Sequence, residues 1–342
     1  MKILTYCGAL LLSIVLVNWF IKTPDTNPYD SSPVSKNVKE LAEANDNPSS
    51  TGALPATGSP IHASSSSSFS EVSEAKGASL IIGDKLLSLG ENVDSLIAKL
   101  GIPGRIADTE YNFEFYVYNR DYRYLLFVAV KDGLIEGFYT DSLLFNFMGI
   151  SSGSNLQEIS RVLGSTPAPK EIIPFETEEF KASILMDQAD TGLVTGIYVL
   201  SSNVIETGYD ESVMKDAELL SYDLANSLRI RNGLPAFSWS STAAKASRKH
   251  SKDMAMKNYF DHVSLDGRLP GDRLQEEGVL AQRVGENIIA GYGSAILNNH
   301  AWFNSPGHRR NLLNPDFISL GVGFIYDDSS TYQTYMTQIF YR

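Results

Sequence analysis

The sequence predicts an α+β protein with two folded regions, residues 77–205 and 210–342, behind an apolar segment (1–22) and a polar linker (23–76). Three observations carry that prediction. A helix-then-strands pattern occurs twice between residues 77 and 205, helical spacing dominates from Asp210 to Lys257, and two β-rich runs close the chain.

The first element is the run Leu4 to Ile21, which holds no charge and is flanked by Lys2 and Lys22. Its length falls between a signal-peptide core and the roughly 20 residues that span a bilayer. No small-x-small cleavage site follows it, so an uncleaved membrane anchor is preferred over a cleaved signal peptide. The positive charge ahead of the run favours a cytoplasmic amino terminus. Everything after Lys22 is then expected in the extracellular space or on the outer face of the cytoplasmic membrane, with the membrane a partner through residues 4–21. Cys7, the single cysteine, lies inside this run, which leaves the folded regions no disulfide and no thiolate metal site. That suits a bacterial style of export.

From Thr23 to about Ala75 the chain is rich in Ser, Pro, Asn, Thr and Ala, with Ser64 to Ser68 unbroken. Too few large apolar residues are present to offset the entropy of ordering, and a flexible tether is expected. A net charge of −12 and a pI near 4.9 argue against nucleic acid as a partner, because that binding rests on clustered Lys and Arg.

An internal repeat organises the middle region. Gly90 to Gly101 matches Gly153 to Gly164 in length, terminal glycines and apolar positions, with Val93, Ile97, Leu100 and Leu156, Ile159, Leu163 at helical spacing. The motif Gly133-Leu-Ile-Glu-Gly-Phe-Tyr139 echoes Gly192-Leu-Val-Thr-Gly-Ile-Tyr198, and Phe113–Tyr118, Tyr124–Val130 and Ala182–Met186 read as strands. Each unit is therefore a helix followed by a small antiparallel sheet, and the two copies are expected to pack into one α+β domain. With no histidine there, its default role is binding or packing.

In the last third, Ala217, Leu220, Leu224 and Leu228 predict a helix that ends at Asn232-Gly-Leu-Pro235. A second helix is expected from Ser241 to Lys257, irregular chain from Asp261 to Gly271, and a strand at Asn287–Ala290. A helix near Ser294–Asn304 and strands at Leu320–Tyr326 and Thr331–Tyr341 follow. Four of the five histidines fall between residues 250 and 308. Imidazoles and the carboxylate of Glu286 are ligand types that suit zinc and similar divalent ions.

The ordered motifs Asn232-Gly-Leu-Pro235, His250-Ser-Lys-Asp-Met-Ala255, Phe260-Asp-His262, Asp272-Arg273, Gly285-Glu-Asn287, Trp302, Ser305-Pro-Gly-His308 and Gly321-Val-Gly323 resemble the CAP superfamily. That group comprises the cysteine-rich secretory, antigen 5 and pathogenesis-related type proteins, whose domain is called SCP-like. The middle region resembles the accessory domain that precedes such domains in Bacillus-type exported proteins. The resemblance implies an α-β-α sandwich around a three- or four-stranded antiparallel sheet. It also implies a cleft of two histidines and two glutamates able to hold a divalent cation. His262, His308 and Glu286 take three of those places, and Ser305 stands where the second glutamate is expected.

Losing that carboxylate removes a negative charge and up to two ligand oxygens. A zinc ion held by His262, Glu286 and His308 and a polar cleft bonded within itself and to water are the two readings. His250 is expected to pack inside the second helix, His300 to lie exposed beside Asn298 and Asn299, and Trp302 to anchor the core. Arg273 and Asn287 are expected to satisfy loop backbone and carboxylates. A Ser305–His308–Glu286 hydrolase lacks the G-x-S-x-G elbow, and Pro306 follows the serine directly. The preferred function is a non-enzymatic extracellular binding or interaction module for a protein, lipid or cell-wall ligand. The alternative is a metal-assisted hydrolase of peptide or cell-wall substrates, and a third reading gives partner binding to the middle domain.

Overall fold

The structure, a computed structural model, describes residues 78–342. The anchor or signal segment, the linker and Gly77 lie outside the described residues. Among those described, no helix is long and apolar enough to cross a membrane. Two compact units divide the described chain, residues 78–216 and 217–342.

In the first unit, both repeat helices form where the spacing places them, α1 at Val93–Leu100 and α2 at Leu156–Leu163. Each starts on an asparagine, Asn92 or Asn155, whose side chain accepts a backbone N–H of the first turn, and Asn155 forms a full capping box with Glu158. Each stops on a glycine with positive φ, Gly101 at 77° and Gly164 at 68°.

The strands differ from the expectation of two small sheets. β3 (Arg105–Asp108), β4 (Glu114–Tyr118), β5 (Leu126–Lys131) and β6 (Leu134–Thr140) join β9 (Ile172–Glu176), β10 (Phe180–Met186) and β11 (Val194–Ser201) in a single antiparallel sheet. Its order is β3-β4-β5-β6-β11-β10-β9. The two copies meet at β6 and β11, where the equivalent tyrosines Tyr139 and Tyr198 face each other in register. Each copy also supplies a short hairpin the sequence did not suggest, β1 (Ser79–Ile82) with β2 (Lys85–Ser88) and β7 (Phe145–Phe147) with β8 (Ile150–Ser151). These form a second sheet of order β2-β1-β7-β8. Leu80, Leu96, Phe138, Phe147, Ile159 and Ile197 are buried together between these layers and the helices.

Near the end of this unit the segment carrying Thr207 and Gly208 is tied back by their amides to the carbonyl of Glu110, at 2.8 and 3.1 Å. The Glu110 side chain is buried there.

The second unit takes in most of α3 (Glu211–Arg231), followed by β12 (Ser238–Trp239), α4 (Ser241–Lys257), α5 (Pro270–Glu276) and β13 (Val284–Ala290). The chain continues through α6 (Ala295–Asn304), α7 (Pro306–Leu312), β14 (Ser319–Tyr326) and β15 (Thr334–Tyr341). The sheet order is β12-β14-β15-β13, with β12 parallel to β14 and the rest antiparallel. Alternation along β15 sorts the layers. Thr337 bonds Ser251 of α4 and Ile339 packs on Ala243 and Ala246, while Gln338 on the opposite face reaches Ser221 of α3 and Asn299 of α6. The unit is thus an α-β-α sandwich.

Close approach fixes α4 to the sheet. Ser247 and Ser251 donate to the carbonyls of Gly321 and Gly323, each at 3.0 Å, and a Cβ on either glycine would collide with the α4 backbone. α4 forms where its spacing places it and is capped by Ser240 accepting from the Ala243 amide and by Asn258 in a left-handed conformation. Arg229 is fully buried, donating to the carbonyls of Pro235, Leu312 and Asn314 and lying over the Phe237 ring.

Candidate functional site

β13 is an edge strand, and its alternation splits the Gly285-Glu-Asn287 motif between two faces. Glu286 pairs in register with Ile339 and so faces α4, whereas Asn287 pairs with Gln338 and faces the other way. Asn287 donates to the side-chain Oε1 of Gln338 at 3.2 Å and to the His308 backbone carbonyl at 3.3 Å. Asn311 of α7 covers the open edge of β13 by donating to the Glu286 backbone carbonyl at 3.0 Å and to Asn287 Oδ1 at 2.9 Å.

The Glu286 carboxylate is buried and held by two donors. His262 Nδ1 lies 2.8 Å from Oε1, and because a carboxylate only accepts, that nitrogen carries the hydrogen. Arg273 of α5 donates to Oε2 at 2.6 Å and also to the His262 carbonyl at 3.0 Å. The same guanidinium donates to Ser264 Oγ and to the Arg268 carbonyl, which pins the loop after α4. Burial works against ionisation of Glu286, yet the Arg273 charge and the histidine contacts outweigh it and hold the carboxyl down at about 2. His250 sits behind the pair, its Nε2 3.0 Å from the Asp261 carbonyl and 4.0 Å from Glu286 Oε1.

His308 lies one turn into α7. Burial, with the His262 imidazole adding to it, pushes its ring down to about 4, so it is neutral near pH 7. Its Nδ1 is buried without a hydrogen-bond partner. Ser305 links α6 to α7: its amide donates to the Trp302 carbonyl and its own carbonyl accepts from Arg309. Its side chain makes no capping bond. Among the described residues, no hydrogen bond joins Ser305 to an imidazole.

The structure thus bonds His262 directly to Glu286 and brings His308 within electrostatic reach of His262, while Ser305 stays apart from the hydrogen-bonded pair. The two-histidine, two-glutamate set that the resemblance implies is not assembled: each Glu286 oxygen accepts from His262 or Arg273, and a hydroxyl stands at the place of the second carboxylate. No group of three or more His, Cys, Asp or Glu side chains is arranged to hold a metal among the described residues. Arg273 is the central residue that the sequence placed outside the site, although it was expected to meet a carboxylate. His300 corrects the expectation of exposure: it is buried, 3.1 Å from the Asn304 amide at i+4 and against the Phe303 ring. Trp302 is the core anchor expected, its indole N–H donating to the Ile288 carbonyl.

The second unit is thus an α-β-α sandwich in which Glu286 of the edge strand bonds His262 of the loop after α4, with Arg273 of α5 behind the pair and His308 on α7. Residues 222–340 match the cysteine-rich secretory protein (CAP) family and residues 89–208 match the CAP-associated N-terminal family. The chain carries a CAP domain preceded by its CAP-associated domain. It is 25% identical over 280 residues to the uncharacterized membrane protein YlbC of Bacillus subtilis (strain 168), covering 69% of this chain and 79% of that one. A second relative from that organism, the uncharacterized protein YkwD, is 40% identical over 103 residues, and the match spans 30% of this chain and 40% of YkwD. Among solved structures, an extracellular SCP-domain protein from Bacillus anthracis str. Ames superposes with a TM-score of 0.63 at 26% identity, covering 74% of this chain and 93% of that one. A cysteine-rich secretory protein from Staphylococcus aureus Mu50 shares the fold, with a TM-score of 0.57 at 17% identity and the same coverage.

Proposed function

We propose that this chain is an exported, non-enzymatic recognition module whose cleft of His262, Glu286, Ser305 and His308 meets an extracellular protein, lipid or cell-wall ligand. The observation that carries this reading is the closed state of Glu286. A carboxylate buried between His262 and Arg273 and held ionised, with each oxygen already accepting a charged or ring N–H, is poor as a general base. Ser305, unbonded to any imidazole, has no activating base within hydrogen-bond reach. The extracellular SCP-domain neighbour supports an outside, ligand-facing role.

Zinc titration into the full chain and into its His262→Ala and His308→Ala variants tests the proposal. The expected result is weak heat, alike in all three. Micromolar one-to-one binding lost in both variants, together with chelator-sensitive turnover of a peptide or peptidoglycan panel, would sink it in favour of a metal-assisted hydrolase.

A further inference from the structure

After β11 the chain of the first unit turns back as a surface strap. Residues 203–208 run antiparallel to 110–112, with Tyr111 opposite Glu206 in an isolated bridge. The Asn112 amide donates to the Ile205 carbonyl at 2.9 Å, and the Ile205 amide donates in return to the Asn112 side-chain oxygen at 3.1 Å. The amides of Thr207 and Gly208 close the strap on the Glu110 carbonyl, where the Thr207 hydroxyl also donates, at 3.3 Å. None of residues 202–208 has a buried side chain, and Ile205 is 62% exposed. Hydrogen bonds hold the strap with little apolar burial to reinforce them, which makes it a low-cost place for the unit to open.

The Glu110 side chain is buried at the point where the strap is tied. Among the described residues, the one charge that acts on it from elsewhere is the carboxylate of Glu206, on the strap itself. Its other titratable neighbours are the phenols of Tyr111 and of Tyr198 on β11. Burial, with the Glu110 charge adding to it, pushes both phenols up, so they stay neutral. Burial likewise pushes the Glu110 carboxyl up to about 7, with Glu206 adding to it and its own backbone amide working the other way. A proton is thus what lets this side chain stay buried beside a second carboxylate; once ionised, it calls for water.

We propose that residues 203–208 form a pH-sensitive latch, docked while Glu110 is protonated and released as its buried carboxyl ionises beside Glu206. Lifting the strap is the smallest movement that gives the carboxylate water. Glu110 binds its proton more tightly with the strap docked than with it open, so its contribution to docking is full below about 4.5 and lost as pH rises through about 7. Released, the strap adds roughly 20 Å of reach, at about 3.3–3.6 Å per residue, to the connection that leads into α3. The latch lies wholly in the first unit and does not depend on the cleft proposed above.

Amide hydrogen exchange of the full chain between about pH 5 and 8 tests this, with each rate divided by the intrinsic rate at its pH. The amides of Asn112, Ile205, Thr207 and Gly208 should lose about tenfold in protection per pH unit between about pH 5 and 7 and level off above that. They should also exchange faster than the amides of the paired strands β6 and β11 and keep their rates in low denaturant, the mark of a local opening. Glu110→Gln, a neutral isostere of the protonated side chain, should hold the strap at its acid protection throughout, a gain of roughly a hundredfold at about pH 7. Protection independent of pH in the unaltered chain, or a pH dependence that persists in Glu110→Gln, would overturn the proposal. Strap amides that exchange only together with those of β6 and β11 would overturn it as well, because Glu110 would then titrate in unfolding of the whole unit and the strap would not open by itself.

Discussion

Glu110 in the first unit and Glu286 in the second are the same residue type buried to the same depth, 8% and 7% exposed, yet they ionise at opposite ends of the scale. Glu110 is pushed up to about 7 by burial, with the nearby Glu206 carboxylate adding to the effect. Glu286 suffers the same burial and is held at about 2, because Arg273 and His262 face it. Burial therefore sets the penalty and the neighbouring charge decides whether the carboxylate is kept ionised. The first unit hides a carboxylic acid, and the second hides a carboxylate as part of a network.

The strongest way to break that contrast is to make Glu286 resemble Glu110. Arg273→Met leaves a buried carboxylate without its cation and should cost the second unit about 3–5 kcal/mol. Denaturant unfolding monitored by tryptophan emission checks this, since Trp239 and Trp302 lie in that unit and residues 78–216 contain no tryptophan. The next largest effect is expected from removing the Glu110 charge. A glutamate whose folded pKa is raised contributes stability that is full below its unfolded value near 4.5 and is lost as pH rises through about 7. Glu110→Gln should therefore stabilise the first unit at about pH 8 by up to about 3 kcal/mol and flatten its pH profile, read by amide hydrogen exchange.

Between those pH limits the two units should lean in opposite directions. His308 has a folded pKa below its unfolded 6.5, so its contribution is full above 6.5 and lost as pH falls toward about 4; that of Glu286 is lost from 4.5 down to about 2. Acidification from neutral pH should weaken the second unit while Glu110 strengthens the first. Residue-resolved exchange at two pH values would show this, and parallel slopes in both units would contradict it. The smallest effect serves as calibration. Asn155→Ala removes an uncharged helix cap and should cost about 1 kcal/mol at every pH.

Much of the fold was legible because its signals are local. α4 was read from Ser241 to Lys257, the bounds it has, since its helical spacing lies within one segment, with the caps Ser240 and Asn258 directly beside it. The repeat helices were legible for the same reason. The hairpins β1–β2 and β7–β8 were not, because strands of two to four residues carry too little alternation. The merging of both copies into one sheet depends on the non-local pairing of β6 with β11, which no spacing records. α5 and α7 carry no assignment in the sequence reading, apart from the first two residues of α5, which fell at the end of the irregular stretch Asp261–Gly271, because each opens on a proline and spans only two turns. At the site, His262, Glu286 and His308 were found by motif, while the role of Arg273 depends on α5 turning back over β13. His300 was misjudged from its polar neighbours, since Asn298 and Asn299 are themselves buried and spend their amides inside the unit.

The seam between β6 and β11 has a consequence for how this molecule can be taken apart. Each half of the first unit ends on a strand whose neighbour belongs to the other half, and Tyr139 faces its own counterpart, Tyr198, across the join. Chains broken in the connection that follows Thr140 would each expose two hydrogen-bonding edges, that of β6 or β11 and that of β1 or β7, complementary to those of the other fragment. Fragment reassembly is thus written into the strand order.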